Sequence, residues 1–438
     1  MSLPGNSSHR GRETGRAFAS YSFVTTAVAV ITVICTCLPI EAHNLPVSTD
    51  SFGMPEDARD DIPQPRVDAA DSEIPQLSTL FADRVSAIDV QTTYYGDVFG
   101  KTHGGASTKD AIRYQGLLNI ELTVDLDALD ALENRIPGRV YLLGQTTHGQ
   151  GLSHDIVGDS LVLSDIDSGG NITQVGEFWW ELQLLDENVT VRLGKQDVNT
   201  EFIYIDAAEH FVQSSFELTP SSTLPTFPQQ SMAAVVLLQL NSSLQLKLGA
   251  WDALAEPGGW GVSGNDTAFL ASEVEYQYAL NDGRLPGTIS TAAGYQTPGE
   301  FNDQPVDAIH GYAFQWEQLL FRESCPDSVS SQGLSVFAAY YPRFFGSNRP
   351  PNSIGNSASA GIVYQGLLSR RDDDEMGVGV SWAELFQGGS NREIVYEIFY
   401  RAEINSRVSL QPDLQYIISP SGIYPDAFVA GVRFLLEL

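Results

Sequence analysis

From Gly176 to Asn199 the chain reads GEFWWELQLLDENVTVRLGKQDVN, and apolar and polar residues alternate almost one for one. Phe178, Trp180, Leu182 and Leu184 share one face, against Glu177, Trp179, Glu181 and Gln183 on the other. After a turn at 186–188, Val189, Val191 and Leu193 oppose Thr190, Arg192, Gly194 and Gln196. A period of two defines a β-hairpin whose faces meet different media. In a soluble sandwich the apolar face would meet a protein core. In a membrane barrel it would meet lipid, with the polar face lining a wet interior.

The rest of the chain decides between these readings. About sixteen segments read as strands, beginning near Val85, Ala111, Gly138, Thr173, Asn188, Met232, Ser243 and Phe269, then near Gly287, Ile309, Gly333, Ala358, Glu375, Arg392, Ser406 and Asp426. Most run roughly 10–12 residues, the length of a tilted membrane-crossing strand. Connections on one side are long (149–172, 198–231 and 253–268 among them), whereas those on the other are mostly short (186–187, 241–242, 404–405). Outer-membrane barrels sort their loops this way, and an even strand count returns both ends to one side. Phe428, Ala430, Val432, Phe434, Leu436 and Leu438 put an apolar face on the last strand. The expected fold is therefore an all-β transmembrane antiparallel barrel spanning 78–438.

Ahead of it, Arg10, Arg12 and Arg16 precede an apolar run over 17–40 and a small residue, Ala42. An export signal over 1–42 is expected. Residues 43–77 carry five prolines and many acids and read as a disordered acidic linker. The net charge of −31 comes from 24 basic and 55 acidic residues and argues against a nucleic-acid partner. Only Cys325 follows the signal, so neither a disulfide framework nor a cysteine metal site is expected.

Several stretches resemble one family, the carbohydrate-selective porins of the OprB type. They are RLGKQDVN at 192–199 behind its aromatic strand, FVQSSFELTPSSTLPTFP at 211–228, YQGLLSRRDDDEMGVGVSWAELF at 364–386, IVYEIFYRAEINSRVSLQPDLQYIISPSG at 394–422, and FVAGVRFLLEL at 428–438. The resemblance implies a single-chain sixteen-stranded barrel in the outer membrane, with lipid around it. It also implies passive diffusion of small sugars, no cofactor and no chemistry, the chain acting alone or as a homotrimer.

A selective pore pairs sugar hydroxyls with arginines and carboxylates and stacks sugar rings on aromatic faces. Strand parity nominates Trp179, Glu181, Arg192, Gln196, Lys247, Glu397, Arg401 and Arg433 as inward residues. For any of them the alternative is an internal ion pair that only stiffens the wall. Arg192, Gly194, Lys195 and Asp197 fall on the family's RxGKxD pattern, which also reads as a structural hydrogen-bond cluster. The 198–231 loop either folds into the pore or caps its mouth. Other functions stay in view. A non-selective porin and a receptor or adhesin barrel fit the same pattern. A hydrolase would need a Ser/His pair, and the histidines 103, 148, 154, 210 and 310 come with no nucleophile motif. The six-residue spacing of His148 and His154 fits no metal pattern.

Overall fold

The computed structural model describes residues 87–129, 136–217, 220, 224–253, 255–262, 267–301, 304–323, 332–349, 353–386 and 391–438. The expected export signal and acidic linker lie outside them. Sixteen long strands run through the described residues. They are β1 Ile88–His103, β2 Ala111–Asp125, β3 Arg139–Gly149, β4 Thr173–Leu184, β5 Val189–Gln196, β6 Ser231–Asn241, β7 Leu244–Asp252 and β8 Ala268–Leu280. The second half comprises β9 Leu285–Gln296, β10 Ile309–Arg322, β11 Gly333–Tyr341, β12 Ile354–Gln365, β13 Glu375–Leu385, β14 Arg392–Asn405, β15 Val408–Ile418 and β16 Ala427–Glu437. Pro342 interrupts β11, which resumes over Arg343–Phe345. Proline has no N–H to give the ladder, so the interruption sits where the strand leaves the sheet.

Each strand pairs antiparallel with its sequence neighbours. β16 then pairs with β1, from Thr93 opposite Glu437 to His103 opposite Phe428. That closure leaves no open edge, the condition for a sheet to survive in hydrocarbon where unpaired backbone groups find no water. Most sequence-derived strand starts fall within two residues of the observed ones. Val85 and Ala358 miss by three and four, the observed starts being Ile88 and Ile354.

Alternation sorts the faces as expected. Ile112, Phe178, Phe314, Ile362, Tyr396 and Phe428 all point outward and stay at least 36% exposed. Soluble monomers rarely show so continuous an apolar belt, whereas a lipid-facing wall requires one. The interior departs from a uniformly polar lining. Val235, Ala271, Ala292, Ala313, Phe337 and Ala339 face inward and are buried, so protein must cover them.

Candidate functional site

The cover is the long connection between β5 and β6. Its described residues fold into the barrel, and Phe202, Ile205, Phe211 and Phe216 are each at most 1% exposed. Phe211 stacks on Phe216 at 4.4 Å and meets Phe399 edge-on at 5.0 Å. Burying each such ring contributes about 1.5–3 kcal/mol. The wall makes room with glycines: a Cβ on Gly379 would lie 2.4 Å from Phe216, and one on Gly377 2.3 Å from Phe399.

Three wall carboxylates receive the loop's backbone N–H groups. Glu273 accepts from Ile203 at 2.7 Å, Glu317 from Ala207 at 3.0 Å, and Glu397 from Val212 and Gln213 at 2.7 and 3.0 Å. At the loop's base Asp197 accepts from Asn199 at 2.9 Å and from Phe227 at 2.7 Å, tying entry to exit. Burial pushes the Asp197 carboxyl up to about 6 despite these two donors. The 150–172 connection also turns inward. Leu152, Val157, Leu161 and Leu163 pack with Phe99, Val395, Ile417 and Val429. Glu393 accepts from the N–H groups of Ser160 and Leu161. The two inserted loops meet where Asp165 N–H donates to Val212 O at 2.9 Å.

Opposite charges alternate across the polar part of the wall. Arg139 and Arg192 both reach Glu181 at 2.8 Å, and Arg192 also reaches Glu201 of the inserted loop at 2.8 Å. Lys247 donates to the Glu201 carbonyl at 2.8 Å and pairs with Glu273 and Glu275 at 3.0 and 2.8 Å. Beyond them Arg433 binds Asp97 at 2.8 Å and also holds Asp165. Arg401 pairs with Glu403 at 2.9 Å, beside His210, which bonds Glu375.

The nominated residues thus divide. All eight face inward. Trp179, Glu181, Arg192, Arg401 and Arg433 belong to the network of paired charges or stack on it. All eight but Arg401 are at most 7% exposed. Gln196 contacts the Gly194 and Ala233 carbonyls, and Glu397 holds the inserted loop. Lys247 belongs both to the network and to the loop's hold, pairing with Glu273 and Glu275 and donating to the Glu201 carbonyl. The expectation that Glu397 touches solute therefore needs correction, because the loop lies over it. Trp179 is corrected in role. Tyr141 on β3 stacks on it at 4.9 Å, and the Arg192 guanidinium on β5 lies 4.1 Å from its ring centre. With these neighbours the indole is 6% exposed, too little for a sugar ring to stack on. Of the RxGKxD residues, Arg192 belongs to the charge line, whereas Gly194, Lys195 and Asp197 hold backbone. Gly194 has φ +140 and would clash through a Cβ with the Phe178 carbonyl at 2.2 Å, while Lys195 donates to the Val175 and Gly259 carbonyls. The sequence reading missed Arg139, Tyr141 and Glu201. Extending the parity rule along β3 would have found the first two; Glu201 sits on a loop, where parity has no meaning.

An apolar outer belt, a closed barrel and a paired-charge interior narrowed by an inserted loop define a diffusion channel of the outer membrane, a porin. The family model for the carbohydrate-selective porin, OprB family, matches residues 109–438, and the chain belongs to that family. It is similar to Porin B of Pseudomonas aeruginosa, 21% identical over 403 residues that cover 79% of this chain and 86% of the relative. It also superposes on OprB of Pseudomonas putida solved at high pH, with TM-score 0.68, 18% identity and coverage of 83% of this chain and 96% of that one. The low-pH structure of the same protein gives TM-score 0.54 at 18% identity, covering 83% and 97%. The protein is an outer-membrane porin for the diffusion of carbohydrates.

Proposed function

We propose that neutral sugars are selected along the line Arg139, Glu181, Arg192 and Glu201. There the paired charges exchange hydrogen bonds with passing hydroxyls. One observation carries this reading: each cation of the line sits within 3 Å of a carboxylate. The two open members of the line, Arg139 and Glu201, present opposite charges to the solute, held in place by the buried Glu181 and Arg192, instead of a single-sign field. Ions gain little from such a lining, whereas a hydroxyl can donate to the carboxylate and accept from the guanidinium. Individual contacts stay weak because every group already has a protein partner, and weak binding is what flow requires. β16 closes onto β1, so each chain carries its own pore, and a homotrimer would conduct in three equal steps.

The test is single-channel recording in a planar bilayer, with reversal potential in a salt gradient and glucose-induced current noise. Glu201→Gln removes one carboxylate from Arg192. Ion selectivity is expected to move toward anions and glucose noise to fall. An unchanged reversal potential together with unchanged glucose noise would show that the paired line only stiffens the wall.

A further inference from the structure

Arg433 stands on β16 opposite Asp97 of β1, across the seam that closes the barrel. Its guanidinium holds two carboxylates at once. Nε donates to Asp97 Oδ1 at 2.8 Å and Nη2 to Asp97 Oδ2 at 3.0 Å, while Nη1 donates to Asp165 Oδ2 at 3.1 Å. Nη2 also reaches Asp165 Oδ1 and, at 3.2 Å, Ser164 Oγ. Ser164 Oγ in turn donates to Asp97 Oδ2 at 2.6 Å. Asp97 by itself would neutralise the arginine. The second carboxylate has a different consequence: it pins the 150–172 connection to the seam. Asp97 and Arg433 are 1% and 7% exposed, so solute meets little of either.

What is pinned there backs the longer inserted loop. Asp165 N–H donates to Val212 O at 2.9 Å and Ser214 N–H to Val162 O at 3.2 Å, a two-bond ladder between the two loops. Gln213 Nε2 and Ser214 Oγ add bonds to Leu161 O at 2.7 and 2.8 Å. The wall holds the same stretch through Glu397, which accepts from Val212 and Gln213 N–H. The 212–214 stretch is thus held twice, by β14 directly and by the seam through the second loop. An arginine taken from between two carboxylates leaves their charges uncompensated. Asp97 is fixed in a strand, so the loop that carries Asp165 is the part free to move away.

We propose that Arg433 is a positioning residue for the pore: through Asp165 it fixes the 150–172 connection against the 212–214 stretch and so sets where the inserted loop stands. Its bearing on sugar selection rests on the reading of the paired-charge line, because Glu201 of that line belongs to the same loop.

Single-channel recording of the full chain in a planar bilayer, with a glucose titration, tests this. Arg433→Gln is expected to raise conductance and to move the glucose concentration of half-maximal current noise up by about three-fold, as for residues that act on a site without touching its ligand. A seam pin without the arginine separates positioning from direct contact. Ser164 and Asp97 already touch, so Asp97→Cys and Ser164→Cys, added to Arg433→Gln in a Cys325→Ser background, can tie the second loop to β1. Oxidation is expected to restore the wild-type conductance and glucose response, and reduction to remove them again. If Arg433→Gln gives no heat-modifiable barrel, Asp165→Asn replaces it and leaves the seam pair intact, with the same changes expected. A glucose response that stays impaired when the disulfide is closed would overturn the positioning role and make Arg433 a solute contact. Unchanged conductance and glucose response in Arg433→Gln would also overturn it. Conductance reads the loop's position whether or not the paired line selects. A silent Glu201→Gln beside a responsive Arg433→Gln would therefore strike the selecting line and keep the positioning role.

Discussion

The two halves of the barrel interior are built for different purposes. From β3 to β5 the inward positions are Arg139, Tyr141, Trp179, Glu181 and Arg192, large and polar and cross-linked by ion pairs. From β6 to β13 many inward positions are Ala233, Ala271, Ala292, Ala313, Ala339, Gly377 and Gly379, too small to fill a barrel and too apolar to line water. The inserted loop resolves the mismatch. Its aromatic side chains fill what the small residues leave, and Glu201 closes the charge line of the opposite wall. One half carries the proposed selecting line and the other the surface on which the inserted loop docks. A barrel wall can therefore spend half its inner face on a docking surface, because antiparallel strands satisfy their backbone whatever their side chains are.

The largest effect should come from removing the cover. Replacing 202–217 by a short Gly-Ser link, with Asp197 and Phe227 kept, is expected to raise single-channel conductance several-fold and abolish glucose noise. Unchanged conductance would mean that the loop does not narrow the pore, and the contrast between the halves would lose its functional meaning.

A subtler break is Phe211→Ala. The ring fills a niche against Phe216, Phe337 and Phe399. Its loss should cost about 3–5 kcal/mol, as for other buried aromatics. The cost should fall on the loop and not on the barrel. Amide exchange within 202–217 should speed up while strand amides and the heat stability of the barrel hold. Loss of both together would show that loop and wall are one cooperative unit.

The smallest effect concerns the contact between the two inserted loops. Burial, with Asp165 and Glu209 nearby, pushes the Glu217 carboxyl up to about 8. Its folded value lies above its ordinary one of 4.5, so folding retains the proton. The stabilisation is full below the ordinary range and is lost as pH rises through about 8. Open-channel noise should therefore increase between pH 6.5 and pH 9 as the loops repel. Glu217→Gln should flatten that profile; a mutant profile that rises like wild type would assign the noise to another group.

Much of this was legible in the residues. The hairpin at 177–199 revealed its two faces because side chains alternate with a fixed period of two, and lipid and water select opposite residue types. The last strand showed its lipid face in the same way. Inward orientation of Arg192, Lys247, Glu397 and Arg433 followed from that parity. Parity did not distinguish a residue of the charge line from one that meets a folded-in loop: Arg192 and Glu397 read alike from the sequence. A signal for the loop was nonetheless present in the run of Ala and Gly at inward positions from β6 to β13, since small apolar residues facing a barrel lumen call for a cover.

The sequence by itself determined the barrel, its strand boundaries and which face of each strand meets lipid, because these depend on local period and on solvent. Only the tertiary structure decided that the segment from Val198 to Glu217 enters the barrel and that Tyr141 and Arg192 pack on Trp179. Those outcomes depend on which residues meet across strands and loops far apart in the chain, and no local period encodes such meetings.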